Sequence, residues 1–289
     1  MSEGGRRKKL QIRDPGPSQC HPSVGRQRPA AGCLPVEILE KAAAALNLKH
    51  APKTGPALRK RLEQELDVPT GHEYSFLSKL PFPPTERAAI AKQYLRPVAP
   101  AAWKKDPDMW LDSTNIADVM NQFELSNPRF EFMGPFPIDF AAPSPYEKGP
   151  GGAKRCLMNE MCELHVKDAA KNGTDYIGIV YNLDPHFKSG SHWVANFIDL
   201  KRKTCHYFDS YGMAPPKQIA TFMKWLATQD PEMKLHYNSK RLQFKNSECG
   251  VFCLFFLTLM QYGEEFVTIP RSNASDTDML DYRDWFFST

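Results

Sequence analysis

From Val251 to Met260 the chain is apolar at nearly every position. A run this short cannot span a bilayer, and it has no polar stripe, so it predicts a helix buried on all sides. Asn246, Ser247 and Glu248 precede it and are available to cap its first turn. Cys249 and Gly250 therefore fall at the mouth of a core helix. Upstream the pattern changes period. Residues 176–183 are apolar and β-branched, 192–200 alternate through Trp193, Ala195, Phe197 and Asp199, and 203–209 carry Cys205, Tyr207 and Phe208. With Lys201-Arg202 as the turn, the last two predict a hairpin. Residues 235–242 predict a fourth strand. Residues 130–140, broken by Pro135 and Pro137, predict an edge strand, and 143–154 a Gly/Pro loop.

Helical spacing covers the rest. Ile116, Val119, Met120 and Phe123 share a face behind a cap at Ser113 or Thr114. Leu157, Met161 and Leu164 predict a helix over 155–171. Ile219, Phe222, Met223 and Leu226 predict one over 215–228, and 276–287 reads as a closing amphipathic helix. Near the start, Val36, Leu39, Ala43 and Leu46 mark one helix, Leu58, Leu62 and Leu66 a second with an exposed basic face, and 85–95 a third. The expected organisation is a disordered basic tail over 1–32, a helical arm over 33–98 and a catalytic domain over 99–289. The fold class is α+β, with a central mixed or antiparallel sheet and a buried helix bearing the nucleophile. The arm's helix–extended–helix rhythm resembles the SAP-type nucleic-acid-binding module, and a structural arm is the preferred reading.

Composition narrows this little. The 289 residues are 42% apolar and 24% charged, with a net charge of +4. That charge alone does not indicate nucleic-acid binding, although the Gly4–Lys9 cluster and the arm could make such a contact. No apolar run reaches about 18 residues, so no membrane span is expected. Seven cysteines in irregular spacing predict free thiols in a reducing compartment. Cys156, Cys162 and His165 lie close together, but no second pair has zinc spacing, so no metal and no cofactor is expected.

The candidate chemistry is that of a thiol. The unpaired N–H groups at a helix start favour an anion, which pushes Cys249 toward thiolate. In the hairpin, the first residue of one strand lies beside the last of the next, which brings His192 next to Asp209. A helix packed under that end delivers Cys249 to the imidazole, giving nucleophile, base and orienting carboxylate. Gln243, six residues before Cys249, offers an amide to a developing oxyanion.

Trp-Leu-Asp at 110–112 with Ile116, His-Trp at 192–193, Asp209, Gln243 and Glu-Cys-Gly at 248–250 together resemble the SUMO-protease/adenain superfamily of cysteine proteases over roughly residues 105–265. Within it the chain looks most like the polyprotein-processing proteases of large cytoplasmic DNA viruses, the African swine fever virus type, which also carry a helical arm. Asp209 stands where that viral type can use Asn. The resemblance implies an adenain-like fold, with Cys249 as nucleophile, His192 as general base and acid, Asp209 as orienter and Gln243 as oxyanion donor. Trp110 and Trp193 would form an aromatic tunnel that admits only backbone, hence cleavage after Gly-Gly. Asp112, Ser247 and Glu248 would line the substrate path.

The implied substrate is a polypeptide with Gly-Gly-type sites, such as a viral core or capsid polyprotein cut during virion maturation. The implied location is the host cytoplasm and the virion, or the cytoplasm or nucleus of a eukaryotic cell. Two rival functions remain: an isopeptidase for a ubiquitin-like modifier, and a non-catalytic scaffold binding nucleic acid or capsid protein. Self-cleavage after Gly152 or Gly5 is a further expectation.

Overall fold

The computed structural model describes residues 18–25, 28–149 and 154–289. Both self-cleavage sites and the basic cluster at 4–9 lie outside them. The described chain divides into two compact units, one over 110–279 and one over 18–109 with 280–289.

The larger unit is built on a five-stranded sheet. Its strands are β1 (Phe130–Pro137), β4 (Tyr176–Asn182), β5 (Trp193–Asp199), β6 (Thr204–Phe208) and β7 (Lys234–Tyr237), side by side in that order. β5 runs antiparallel to β4 and β6, while the two outer strands run parallel to their neighbours. The sheet is mixed, and β1 is at its edge, where the prolines are tolerated. β2 (Pro143–Lys148) and β3 (Lys154–Cys156) form a separate antiparallel pair where the Gly/Pro content predicted a loop. The helix predicted over 155–171 is two short ones, α6 (Asn159–Cys162) and α7 (Val166–Lys171).

Every residue of β5 is buried, because helices cover both faces of the sheet. On one face Ile179, Tyr181, Val194 and Ile198 pack with Ile219, Phe222 and Leu226 of α8 (Lys217–Gln229). The other face carries α9 (Cys249–Gln261), packed on β4, β5 and α5 (Ser113–Ser126). Residues 249–260 are all buried, as the unbroken apolar run requires. Each Leu or Phe among them contributes about 1.5–3 kcal/mol relative to exposure. Phe256 stacks on Phe208 of β6 with centroids 4.8 Å apart. At Gly178 of β4 an added Cβ would lie 2.8 Å from the Phe130 ring of β1 and 3.3 Å from a Leu257 methyl of α9, so the glycine makes room chiefly for the Phe130 ring.

The smaller unit contains α1 (Val36–Ala45), α2 (Gly55–Glu65), α3 (Glu73–Lys79) and α4 (Pro84–Tyr94). α3 went unseen in the pattern because it is only two turns long. Part of the presumed tail belongs here: Gln19, Cys20 and His21 are buried, and Cys20 is disulfide-bonded to Cys33. That bond and the Gln19 carboxamide, which accepts from the Glu73 amide at 3.2 Å, hold the segment down. The C-terminal residues 280–289 also fall in this unit. α2 is less basic outwardly than its sequence suggests. Arg59 is buried, paired at 2.8 Å with both Glu63 and Glu73, and stacked 3.6 Å from the Phe76 ring.

Two disulfides correct the expectation of free thiols. Cys20 joins Cys33 and Cys156 joins Cys162, which leaves Cys205, Cys249 and Cys253 free and buried. Among the described residues no helix is long and apolar enough to cross a membrane.

Candidate active site

The hairpin register assembles the site. Ala195 pairs with Phe208, so His192, one residue before β5, and Asp209, one residue after β6, arrive at the same end of the sheet. His192 Nε2 lies 2.8 Å from Asp209 Oδ1, and both residues are buried. The ring's other nitrogen, Nδ1, is not taken up by Asp209, and Cys249 lies close enough to the imidazole to act on its charge. Cys249 is the first residue of α9. Its N–H is one of the helix-start donors with no partner inside the helix.

Burial by itself disfavours the charged imidazolium. The hydrogen bonds to Asp209 and Cys249, then the charges of the two, outweigh it and raise the His192 pKa from 6.5 to about 9. At neutral pH this imidazole holds its proton, as a thiolate–imidazolium pair requires.

Gln243 is held to Ser210, the residue after Asp209. Its Oε1 accepts from Ser210 Oγ at 2.6 Å. Its Nε2 is buried and has no hydrogen-bond partner among the described residues. A buried donor without an acceptor costs about 1–3 kcal/mol, which fits a group waiting for charge that develops during reaction.

Supports that sequence reasoning missed hold the carboxylate. The Asn238 side chain accepts from the Asp209 amide at 2.9 Å and donates to the Asp209 carbonyl at 2.7 Å. The Tyr211 amide donates to Asp209 Oδ1 at 2.8 Å. The Tyr211 ring stacks on His192, 4.6 Å between centroids and 16° from parallel. Arg241 lies over the outer face of Tyr211 and over exposed Phe244. The available signals were a polar Asn in a strand-like stretch and the Asp-Ser-Tyr-Gly turn.

Trp193 is tied to the site through Leu111. Trp193 is buried, and its indole N–H donates to the Leu111 carbonyl at 2.9 Å. Leu111 in turn lies on Gly250, where an added Cβ would come 2.9 Å from the Leu111 Cβ. Gly250 thus allows the Leu111 side chain to approach the start of α9 closely. Trp110, next to Leu111, is 41% exposed.

The remaining candidates are placed differently. Asp112, not Ser113 or Thr114, caps α5. Its Oδ1 accepts from the Asn115 amide at 2.8 Å, and the Asn115 side chain accepts from the Asp112 amide in return. One carboxylate oxygen thus serves the helix start, and the residue is exposed. Glu248 is fully enclosed at the α9 N-cap and Ser247 is buried beside it, so neither offers an open substrate contact. Among the described residues no cluster suits a metal ion.

Residues 154–284 match the Ulp1 protease family, C-terminal catalytic domain. A protein of Acanthamoeba polyphaga mimivirus, named "putative thiol protease", is 30% identical over 188 residues, covering 62% of this chain and 56% of that protein. The chain thus spans little more than half the length of that relative. A SUMO-1 cysteine protease of African swine fever virus is 29% identical over 186 residues, covering 61% of this chain and 67% of that one. The crystal structure of the African swine fever virus protease superposes with a TM-score of 0.66 at 17% identity, over 97% of this chain and 99% of the other. It has the same fold. These matches and the motif order agree in making residues 154–284 similar to the catalytic domain of the Ulp1 protease family.

Proposed function

We propose that this chain is a cysteine endopeptidase that cleaves after Gly-Gly-type sites, and that its substrate is a viral structural polyprotein cut during virion maturation in the host cytoplasm or the virion. The observation that carries the proposal is one buried imidazole bonded to Asp209 and raised in pKa by Asp209 and Cys249 together, with an unsatisfied amide donor on Gln243, six residues before Cys249. In this mechanism the Cys249 thiolate attacks the carbonyl carbon before the scissile bond. The carbonyl π pair moves to oxygen, where Gln243 Nε2 and the Cys249 N–H stabilise it. The tetrahedral adduct collapses to a thioester, and the His192 imidazolium gives its proton to the departing amine. Water, deprotonated by His192, then attacks the thioester, releases the acid and returns the thiolate.

Glycine preference rests on Trp193, anchored through Leu111, and on exposed Trp110 beside it, which would leave no room for a Cβ. The test is a panel of Gly-Gly-X peptides with the intact chain and with Cys249→Ala. Cleavage after the second glycine by the intact chain alone is expected. Equal processing by both proteins, or none by either, would overturn the proposal. Trimming of a ubiquitin-like protein with no peptide cleavage would favour the isopeptidase instead.

A further inference from the structure

Ser210 directly follows the triad carboxylate and is 1% exposed. Its hydroxyl donates to Gln243 Oε1 at 2.6 Å. Its carbonyl accepts from the Leu242 and Gln243 amides at 2.8 and 3.0 Å. Both ends of this one residue therefore grip the stretch that carries the oxyanion donor.

A carboxamide has one donating end and one accepting end. Pointed one way, Gln243 stabilises an oxyanion; turned over, its carbonyl oxygen opposes the same charge. With Oε1 taken up by Ser210, the NH2 end is the one left over, and it is the end found buried without a partner among the described residues. We propose that Ser210 is a positioning residue that holds the Gln243 carboxamide with its NH2 end toward the developing oxyanion, so that the residue adjoining the triad carboxylate also aims the oxyanion donor. This assignment rests on the cysteine-protease reading.

Ser210→Ala removes the hydroxyl and leaves the amide without its anchor. Loss of a complete oxyanion donor costs about 100–1000-fold in kcat, so a donor that is present but unaimed should cost roughly 10-fold. Three measurements separate positioning from general damage. Steady-state kinetics on a Gly-Gly-X peptide should show the loss in kcat with KM unchanged. A peptide ending in glycinal, which forms an oxyanion-bearing adduct with Cys249, should bind more weakly by a similar factor. Alkylation of Cys249 by iodoacetamide, a displacement that develops no oxyanion, should proceed at the wild-type rate. In a Gln243→Ala background, Ser210→Ala should add no further loss, because residues acting through one group are not additive. A full further loss in that background, or alkylation slowed in parallel with kcat, would overturn the assignment. Absence of any turnover by the wild-type chain would instead refute the protease reading, and glycinal affinity would still report on the amide.

Discussion

Replacing Asp209 by Asn keeps the side-chain shape and removes one charge. In the wild type, Oδ1 accepts from His192 Nε2 and from the Tyr211 amide, each at 2.8 Å. An Asn oxygen can still take both bonds, so geometry should survive. What changes is the electrostatic support of the imidazolium. Burial pulls the His192 pKa down, and Asp209 and Cys249 together lift it to about 9. A neighbouring opposite charge shifts a pKa by ~1–3 units, and each unit corresponds to about 1.4 kcal/mol. With Cys249 still in place, His192 should titrate at least ~1 unit lower in Asp209→Asn.

NMR titration of isotope-labelled histidine reads this directly. The alkaline limb of kcat/KM, which falls as the imidazolium loses its proton, should move toward neutrality by the same amount. The stability sign follows from a raised folded pKa. His192 contributes stability that is fully present below its ordinary 6.5 and is lost as pH rises through about 9. The Tm gap between wild type and variant should therefore be widest below 6.5 and narrow on the alkaline side. A His192 titration unchanged by the substitution, or a wild-type value near 6.5, would refute the reasoning.

Gly250→Ala should push Leu111 away, since the new Cβ would meet the Leu111 Cβ at 2.9 Å. Overpacking of this kind costs about 1–3 kcal/mol, read as a lower Tm, and kcat/KM should fall because Leu111 also anchors Trp193. Asp112→Ala should remove the α5 cap at a cost of about 0.5–2 kcal/mol and leave kcat unchanged. A kinetic defect with an unaltered Tm would instead make Asp112 a substrate contact.

The parts legible in the sequence are those with a strong local signal. α9 announced itself because burial on all sides demands an unbroken apolar run. The β5–β6 hairpin showed through its turn, and with it the meeting of His192 and Asp209. Contacts that exist only after folding were not legible. Asn238 reaches Asp209 across 29 residues and Ser210 reaches Gln243 across 33, so even where a polar residue is conspicuous the sequence does not name its partner. The same holds for Cys20, which reads as tail until Cys33 is found beside it. Asp112 was assigned by motif to substrate, and its second role, capping α5 through one oxygen, was not read from the sequence. The segment at 155–171 carries a helical period, but β3 and the Cys156–Cys162 bond take up its start.

The most direct test is to trap the acyl-enzyme. The intact chain would be mixed with an activated Gly-Gly ester, quenched in acid, digested and mapped by mass spectrometry. The account predicts a glycyl thioester on Cys249 alone, absent from Cys249→Ala and formed far more slowly in His192→Ala. Acylation on Cys205 or Cys253, or equal acylation of Cys249 without the histidine, would contradict it.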